Sequence, residues 1–343
     1  MVMETVLITG CAGFIGGYMV HKYAKTGNVN VVGTYAINKF SEPDLNVEKY
    51  NKCYDNCHLY QCDIRQRSEM RKIIKEHMPS IIYHLAAQSK PTVSIDAPVE
   101  TIDTNVIGTI NLFEIIREIR ETCDYDPMVV VACSSAEYGE AMNILASINN
   151  TYAYGVPESV PLKPLHPYGV SKVAQDMLSY YYFKQYGIRC IRARICNTTG
   201  PGKTGDVLSD LMIRITRINH GEIDKLHVGN LESKRAILDV HDTVNALELL
   251  AQKGVVGEVY NICAKDTYSV KQLIIAIENI ARRKYSIEID SELVRTNDEY
   301  VIKCDTTKLE VDTGWKPQIP LQLTLQKMYD FWESDWQNDE LEE

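Results

Sequence analysis

The segment that decides the fold reads Val6-Leu7-Ile8-Thr9-Gly10-Cys11-Ala12-Gly13-Phe14-Ile15-Gly16-Gly17. A short apolar run, of the length of one buried strand, leads directly into glycines at positions 10, 13 and 16, after which Tyr18–Tyr23 has a helical pattern. In a strand, tight turn and helix of this kind, backbone N–H groups approach an anion such as pyrophosphate at the positive end of the helix dipole. An ordinary strand-to-helix turn shares the spacing, so the rest of the chain has to decide between the two.

The composition is that of a globular protein of ordinary polarity. The chain has 343 residues, of which 45% are hydrophobic and 24% charged, enough for a large core in two lobes or one extended domain. A net charge of −10 argues against nonspecific nucleic-acid binding, which needs a basic surface. The ten cysteines form no Cys-x-x-Cys pair, and Cys53 and Cys57 lack the companions of a zinc site, so we expect reduced thiols and no metal. Without a leader or an apolar run of about 18 residues, we expect a cytoplasmic protein that contacts no membrane.

Strand and helix patterns alternate through the first half of the chain. Short apolar runs are separated by segments of helical spacing, and this alternation predicts a Rossmann-type doubly wound parallel sheet of the α/β class. The strands after the first are predicted at 29–35, 57–64, 80–88, 128–135 and 188–195, and the main helices at 68–77, 101–121 and 168–186. A polar loop is expected between residue 135 and the helix at 168.

Beyond Asn197 the pattern is less regular, and we expect a smaller substrate lobe interleaved with the sheet. The dinucleotide-binding domain is predicted to cover 1–195, with 236–262 returning to it. The lobe is predicted to cover 196–235 and 263–334, followed by an acidic tail, 335–343, that frays.

The end of the second predicted strand bears on the choice of cofactor. In nicotinamide-binding folds an acidic residue there holds the ribose 2′-OH and repels a 2′-phosphate. Here the residues are Thr34-Tyr35-Ala36, followed by Asn38 and Lys39, which favours NADP(H) over NAD(H) without excluding either. Lys39 is equally consistent with a phosphate contact and with a solvated loop charge. Asp63, near the end of the third strand, is placed to reach an adenine amino group.

Tyr168 and Lys172 are four residues apart at a predicted helix start, so their side chains emerge on one face. A free tyrosine has a pKa of about 10 and exchanges protons poorly near neutrality. A neighbouring ammonium and a positively charged oxidised nicotinamide would lower that pKa, so that the phenol exchanges a proton with a sugar hydroxyl or carbonyl. Ser134, a hydroxyl that appears abruptly at the end of a buried strand, could donate a second hydrogen bond to the same oxygen.

Four motifs occur together in this chain, namely Thr9–Gly16, His84–Ser89, Ser134 and Tyr168–Lys172. Together they resemble an extended short-chain dehydrogenase/reductase that acts on nucleotide sugars. Within that superfamily the chain is most similar to GDP-mannose 4,6-dehydratases and GDP-4-keto-6-deoxy-mannose reductases. That likeness rests on further short segments: Gln88-Ser89 with Val93-Ser94, Arg194–Pro201, Lys234-Arg235 before Asp239-Val240, Arg295–Glu299 and Thr313–Pro317.

The resemblance implies NADP(H) or NAD(H) on the sheet domain, a GDP-linked hexose in the cleft, and Ser134, Tyr168 and Lys172 as catalytic residues. The implied cofactor contacts are Gly10, Gly13, Phe14, Ile15, Gly16, Asp63, Ile64, Leu85, Ala86, Ala87, Tyr168 and Lys172. The implied substrate contacts are Ser89, Ser94, Glu137, Asn197, Lys203, Arg235, Arg295 and Glu299. The two arginines would hold the pyrophosphate and nucleotide, since an acidic protein needs placed cations and a guanidinium binds phosphate bidentately. Asn197 would contact the diphosphate and Glu299 a ribose.

One position separates two reactions of this family. A 4,6-dehydratase removes the C5 proton with the glutamate of a Thr-Ser-Glu-Leu-Tyr-Gly pattern, whereas this chain reads Ser134-Ser135-Ala136-Glu137-Tyr138-Gly139. Alanine occupies the position of the base, and Glu137 is displaced by one residue, which can turn a side chain the other way. The pattern resembles the reductases, so we predict NAD(P)H-dependent reduction of a C4 keto group. A dehydratase with Glu137 as its base, a C4 epimerase and a non-catalytic dinucleotide sensor are the alternatives.

The resemblance also implies a homodimer. Helices equivalent to those that begin at Thr101 and at Tyr168 pair across a four-helix contact in related proteins, and both have apolar stripes here. The same stripes are equally consistent with burial inside one subunit.

Overall fold

The structure, a computed structural model, describes residues 3–37, 54–147, 155–294 and 300–339. Five residues discussed above, Asn38, Lys39, Cys53, Arg295 and Glu299, lie outside the described residues, so what is expected of them stays a prediction. Within these ranges no helix combines the length and the apolar character needed to cross a membrane. The nine cysteines in these ranges are all free thiols.

The central sheet contains seven strands, all parallel, as the alternating pattern predicts. Numbered along the chain, they are β1 (Glu4–Thr9), β2 (Val29–Tyr35), β3 (Cys57–Gln61), β4 (Ile81–His84), β5 (Met128–Ser134), β6 (Cys190–Ile195) and β10 (Val259–Ile262). Across the sheet they lie in the order β10-β6-β5-β4-β1-β2-β3. The winding therefore reverses between β1 and β4, and ligands of open α/β sheets bind at such a switch point. The glycine-rich turn that follows β1 lies at this place.

Helices cover both faces of the central sheet and build the second lobe. They are α1 (Phe14–Thr26), α2 (Arg67–His77), α3 (Pro91–Asp96), α4 (Pro98–Ile102), α5 (Gly108–Arg120), α6 (Glu140–Ser147), α7 (Pro167–Tyr186), α8 (Val207–Asn219), α9 (Val240–Lys253), α10 (Val270–Ala281), α11 (Thr307–Thr313) and α12 (Leu321–Asp339). Side chains of α1 and α9 pack on one face of the sheet, and side chains of α2, α5 and α7 pack on the other. Strand β5 is buried along its whole length, which explains why it is apolar up to Ser134.

The C-terminal lobe is built on a second sheet, in which β9 (Lys234–Asp239) pairs with β7 (Asn197–Thr199), β11 (Thr267–Ser269) and β13 (Val301–Ile302). A small third sheet pairs β8 (Leu226–Val228) with β12 (Ile287–Ile289). We expected 236–262 to return to the sheet domain; within it, β9 belongs to the second sheet, although its Leu238 packs in the same core as β1 and α1. In the central sheet, β6 pairs with β5 on one side and with β10 on the other, so β9 cannot pair with β6. Helix α9 does pack against α1, and β10 completes the central sheet.

Two segments are more helical than the sequence predicts. The polar segment after β5 forms a 3₁₀ turn, Ser135–Glu137, and then α6. Helix α6 has only eight residues, too few for a clear amphipathic period, and is anchored by buried Ala141 and Met142. At the carboxyl end, α12 continues to Asp339, through residues that we assigned to the fraying tail. A π-helical turn, Asp103–Ile107, joins α4 to α5 within the predicted helix 101–121.

The turn after β1 requires glycine at two positions. Gly10 has a φ of +72°, and a Cβ there would lie 2.9 Å from the Cα of Ala86, just beyond β4. A Cβ on Gly16 would overlap the carbonyl oxygen of Gly10. Backbone atoms cannot give way as a flexible side chain can, so these glycines let β1, α1 and the end of β4 approach closely.

Replacing Gly16 by alanine is expected to lower the free energy of unfolding by about 3 kcal/mol, because the added Cβ meets backbone atoms. The variant should also bind nicotinamide dinucleotide more weakly. Thermal unfolding and a fluorescence titration with the dinucleotide measure the two effects. Gly27→Ala is the matched control, since its Cβ has nothing within 4 Å and its φ of +64° costs only about 1 kcal/mol. Equal losses in the two variants would contradict the prediction.

Candidate active site

The glycine-rich turn presents backbone N–H groups at the carboxyl end of β1. The carbonyl oxygen of Thr34 accepts hydrogen bonds from Gly10 N at 2.7 Å and from Cys11 N at 3.0 Å, which fixes the turn. The first N–H groups of α1 have no acceptor within the helix, and its N-cap, Gly13, has no side chain to supply one. This arrangement fits the pyrophosphate of a dinucleotide.

Lys203 lies beside this turn. Its Nζ is 5.2 Å from the centroid of the Phe14 ring, at the first turn of α1. The Tyr18 hydroxyl donates to the carbonyl oxygen of Pro201 at 3.0 Å, which holds the loop of Lys203 against the same helix. We expected Lys203 to contact the substrate, and the structure places its ammonium group beside the first turn of α1.

A buried chain of hydrogen bonds begins at the end of β1. Thr9 Oγ1 accepts from Ala86 N at 3.1 Å and contacts His84 Nδ1 at 2.9 Å, while His84 Nε2 contacts Thr109 Oγ1 at 2.9 Å. The Thr109 hydroxyl donates to the carbonyl oxygen of Asn105 at 2.6 Å, so it must accept from His84, and the ring proton is on Nε2. Burial lowers the pKa of His84 to about 3, which keeps the ring neutral.

Asn105 continues the chain to the helix that holds Tyr168. Its side chain accepts from Gln88 N at 2.8 Å and donates to Gln88 O at 3.0 Å and to Ser171 Oγ at 2.8 Å. Ser171 in turn donates to the carbonyl oxygen of Tyr168 at 2.7 Å. Sequence reasoning missed Asn105 and Thr109, because a π-helical turn has no sequence signature and their partners come from distant segments. The chain couples the position of α7 to the turn after β1.

Lys172 is buried beside Tyr168. Its Nζ donates to the carbonyl oxygen of Ala132 at 2.7 Å and to Gln175 Oε1 at 2.8 Å, and it lies 5.8 Å from the centroid of the Tyr168 ring. Burial lowers the pKa of Lys172 to about 8. An ammonium has three N–H groups, so one is left beyond these two bonds. The structure thus brings the predicted pair together, with a charged donor next to the phenol.

Ser134 ends β5 where α7 packs against the following turn. Its Oγ accepts from Ala136 N at 3.2 Å. A Cβ on Gly169 would lie 2.7 Å from the carbonyl oxygen of Ala136, so the start of α7 lies directly on this turn. The three predicted catalytic residues therefore come from two elements in contact.

Glu137 points away from the cleft, which corrects its predicted contact with the substrate. The side chain is 0% exposed, its Oε1 accepts from Ser134 N at 2.9 Å, and its Oε2 lies 3.1 Å from Arg194 Nε on β6. The backbone amide and the buried guanidinium draw the carboxyl group inward. Ala136, one residue earlier, is partly exposed.

Ser94 is also misplaced by the prediction. It is 0% exposed, and its hydroxyl donates to the carbonyl oxygen of Pro91 in the same helix, α3, at 2.6 Å. Helix α3 packs against α7, which buries this face. Ser94 therefore does not contact a substrate, whereas Ser89 is exposed and stays a candidate.

The predicted adenine contact, Asp63, follows β3, and other predicted cofactor contacts lie beside it at Ile64 and after β4 at Leu85–Ala87. Both oxygens of Asp63 accept from Arg65, at 2.7 Å from Nη2 and 3.0 Å from Nε. Burial acts to raise the pKa of Asp63, but the contacts with Arg65 outweigh it and leave the pKa lowered. The side chain of Ile64 is packed in the core, so only its backbone is available to a ligand. Leu85–Ala87 are half-buried, next to Gly10.

Asn197 and Arg235 lie on adjacent strands of the second sheet. Asn197 pairs with Ile237, two residues beyond Arg235, so the two side chains face the same side. Asn197 Nδ2 is buried and has no hydrogen-bond partner among the residues that the structure describes, which leaves a donor for a ligand. The Arg235 side chain is half-buried, and its guanidinium donates to the carbonyl oxygen of Lys234 at 3.1 Å.

The sequence and the structure of this chain are similar to those of known nucleotide-sugar enzymes. The family model described as GDP-mannose 4,6 dehydratase matches residues 7–328. GDP-6-deoxy-D-mannose reductase of Pseudomonas aeruginosa is 28% identical over 259 residues, covering 75% of this chain and 81% of that protein. dTDP-glucose 4,6-dehydratase of Neisseria meningitidis serogroup B is 28% identical over 352 residues, covering 98% of this chain and 96% of that protein. The crystal structure of dTDP-glucose 4,6-dehydratase from Bacillus anthracis in complex with NAD has a TM-score of 0.82 and 26% identity, covering 97% of this chain and 98% of that chain.

These matches confirm both the resemblance and the fold that the motifs predict. They include reductases and dehydratases, and they establish a dehydratase- or reductase-type activity on a nucleotide sugar without choosing between the two. The chain belongs to the GDP-mannose 4,6-dehydratase family of NAD(P)-dependent nucleotide-sugar enzymes, within the extended short-chain dehydrogenases/reductases.

Proposed function

We propose that this protein uses NAD(P)H to reduce the C4 keto group of a GDP-linked 4-keto-6-deoxyhexose, a step in nucleotide-sugar biosynthesis. The observation that carries the proposal is Ala136, partly exposed where the dehydratase pattern has its base. Glu137, the nearest carboxyl group along the chain, is buried against Arg194. A 4,6-dehydratase needs a base for the C5 proton, and a reductase does not.

The catalytic side chains provide what a reduction needs. When bound, the reduced nicotinamide supplies a hydride to C4 of the sugar. Tyr168 gives its phenolic proton to the former carbonyl oxygen, and Ser134 donates a hydrogen bond to the same oxygen. The Lys172 ammonium then stabilises the phenolate that is left on Tyr168.

We place the diphosphate of the substrate on the second lobe. The free amide of Asn197 and the guanidinium of Arg235 support this assignment, since the net charge of −10 leaves anion binding to local groups. The name of the Pseudomonas relative favours a GDP-linked sugar. The dTDP-glucose dehydratase of Neisseria matches more of the chain, so both nucleotides belong in the assay.

With GDP-4-keto-6-deoxymannose, the purified protein is expected to oxidise NADPH or NADH and form a GDP-6-deoxyhexose. Loss of absorbance at the nicotinamide band measures oxidation of the dinucleotide, and chromatography of the sugar nucleotide detects the GDP-6-deoxyhexose. GDP-mannose and dTDP-glucose are incubated in parallel with the oxidised dinucleotide. No loss of absorbance with the keto sugar, or formation of a 4-keto-6-deoxy sugar from either hexose, would contradict the proposal.

Tyr168→Phe is expected to lower kcat about a hundredfold or more, because the proton donor is removed. The affinity for the dinucleotide, measured by titration, should stay unchanged. Tyr181→Phe, the same substitution at a side chain that is 49% exposed on the same helix, is the matched control and should keep full activity. A Tyr168→Phe variant as active as the unmodified protein would argue against a catalytic role.

We propose that the chain forms a homodimer through α4, the π-helical turn and α7. Four apolar side chains there are strongly exposed: Val99 at 80%, Ile107 at 43%, Val170 at 48% and Met177 at 44%. Helix α4 packs against α7, so their exposed faces adjoin. The predicted stripes are thus only partly used within one subunit, and exposed apolar patches mark interaction sites.

Sedimentation at micromolar concentration is expected to show a dimer. The double variant Val99→Asp with Met177→Asp should sediment as a monomer, because it places charges in the apolar contact. Val311→Asp, at a side chain that is 76% exposed on α11, is the control and should remain dimeric. A monomer for the unmodified protein would overturn the proposal.

A further inference from the structure

A buried group of ionisable side chains lies directly behind Ser134. It contains Glu137 and Asp176, which are 0% exposed, and Arg194, which is 3% exposed. Arg192, on the same strand as Arg194, donates to Asp176 Oδ1 at 2.7 Å. The proposed reaction uses none of these groups, although Glu137 is bonded to the backbone of a catalytic residue.

Glu137 and Ser134 hold each other in a reciprocal capping arrangement. Glu137 Oε1 accepts from Ser134 N at 2.9 Å, while Ser134 Oγ accepts from Ala136 N at 3.2 Å. A hydroxyl group has one hydrogen to donate, and Ser134 Oγ donates no hydrogen bond to another of the described residues. The Ser134 oxygen is therefore fixed as an acceptor on the protein side, and its hydrogen is left for a ligand.

The other oxygen of Glu137 shares a donor with Asp176. Arg194 Nε lies 3.1 Å from Glu137 Oε2 and 3.0 Å from Asp176 Oδ2, but only Asp176 has hydrogen-bond geometry. Within the described chain, Glu137 Oε2 is a buried acceptor without a hydrogen bond. A carboxyl oxygen of Asp176 lies within 4.8 Å of one of Glu137. A proton on Oε2 therefore resolves the missing hydrogen bond, because the acid O–H can donate to Asp176. Burial and then the charge of Asp176 raise the pKa of Glu137 well above its ordinary range, in agreement with that arrangement.

We propose that Glu137 is a positioning residue for Ser134. As a neutral carboxylic acid it accepts from the Ser134 backbone through Oε1 and donates to Asp176 through Oε2, so that the serine hydroxyl is held as a hydrogen-bond donor to the substrate oxygen. Asp176 is in turn held by Arg192 and Arg194. The kinetic part of this inference rests on the proposed reduction.

Two substitutions at Glu137 separate the roles of its oxygens. Glu137→Gln keeps an acceptor for Ser134 N and a donor for Asp176, so kcat is expected to stay within about twofold. Glu137→Ala removes both, and kcat is expected to fall roughly tenfold to a hundredfold, with unchanged affinity for the dinucleotide. Glu137→Met, of similar volume, replaces the alanine variant if the latter does not fold. If Glu137→Gln folds but is as slow as Glu137→Ala, the inference that Glu137 is a neutral carboxylic acid is wrong.

A double-mutant cycle with Ser134→Ala tests whether Glu137 acts through Ser134. If it does, adding Glu137→Ala to Ser134→Ala should lower kcat by less than about threefold more. If the two substitutions instead lower kcat by factors that multiply, Glu137 acts independently of Ser134, and the proposal is contradicted.

Infrared spectroscopy tests whether the Glu137 carboxyl group is protonated, without a measurement of activity. The difference spectrum between the unmodified protein and Glu137→Gln should contain the carbonyl stretch of a protonated carboxyl group at neutral pH. A carboxylate band in its place would overturn the inference. If the unmodified protein reduces no keto sugar, the proposed function fails, and this spectrum still decides the state of Glu137.

Discussion

The close approach of the turn after β1 to the end of β4 is the constraint on which the rest of the site depends. A Cβ on Gly10 would lie 2.9 Å from the backbone of Ala86, so only glycine allows it. At this distance Thr9 bonds both Ala86 and His84, and the hydrogen-bond chain through Thr109 can begin. That chain ends at the backbone of Tyr168. One packing contact thus sets the glycine-rich turn and the start of α7 relative to each other.

Because the charged side chains near Ser134 and Tyr168 are buried, the partners of each one matter. Among the described residues, Lys172 donates to two neutral acceptors, the carbonyl oxygen of Ala132 and Gln175 Oε1, and the proposed mechanism uses its remaining N–H beside Tyr168. Behind Ser134, in contrast, Arg192 and Arg194 both bind the carboxylate of Asp176, and Glu137 lies beside Arg194. An acidic chain therefore places its buried cations individually, each against a defined partner.

The sequence predicted the sheet, because strands such as Val129–Val131 are apolar without interruption and alternate with helical spacing. It also predicted the Tyr168 and Lys172 pair, because both lie on one helix. It failed for Glu137 and Ser94, whose directions depend on Arg194 and on α7, partners far along the chain. Asn105 was missed for the same reason. The local pattern of apolar residues determines which segments form helices and strands, whereas the direction of a polar side chain depends on partners that are distant in sequence.

The proposed entry of hydride at C4 of the substrate, from an external reduced dinucleotide, is the step that defines the reaction. It is tested most directly with NADPH that carries deuterium at the transferable position of the nicotinamide, with GDP-4-keto-6-deoxymannose as the acceptor. The geometry around Tyr168 and Ser134 predicts a product with deuterium at C4 of the sugar, seen by NMR and mass spectrometry. Deuterium at C6, or a product without deuterium, would contradict it.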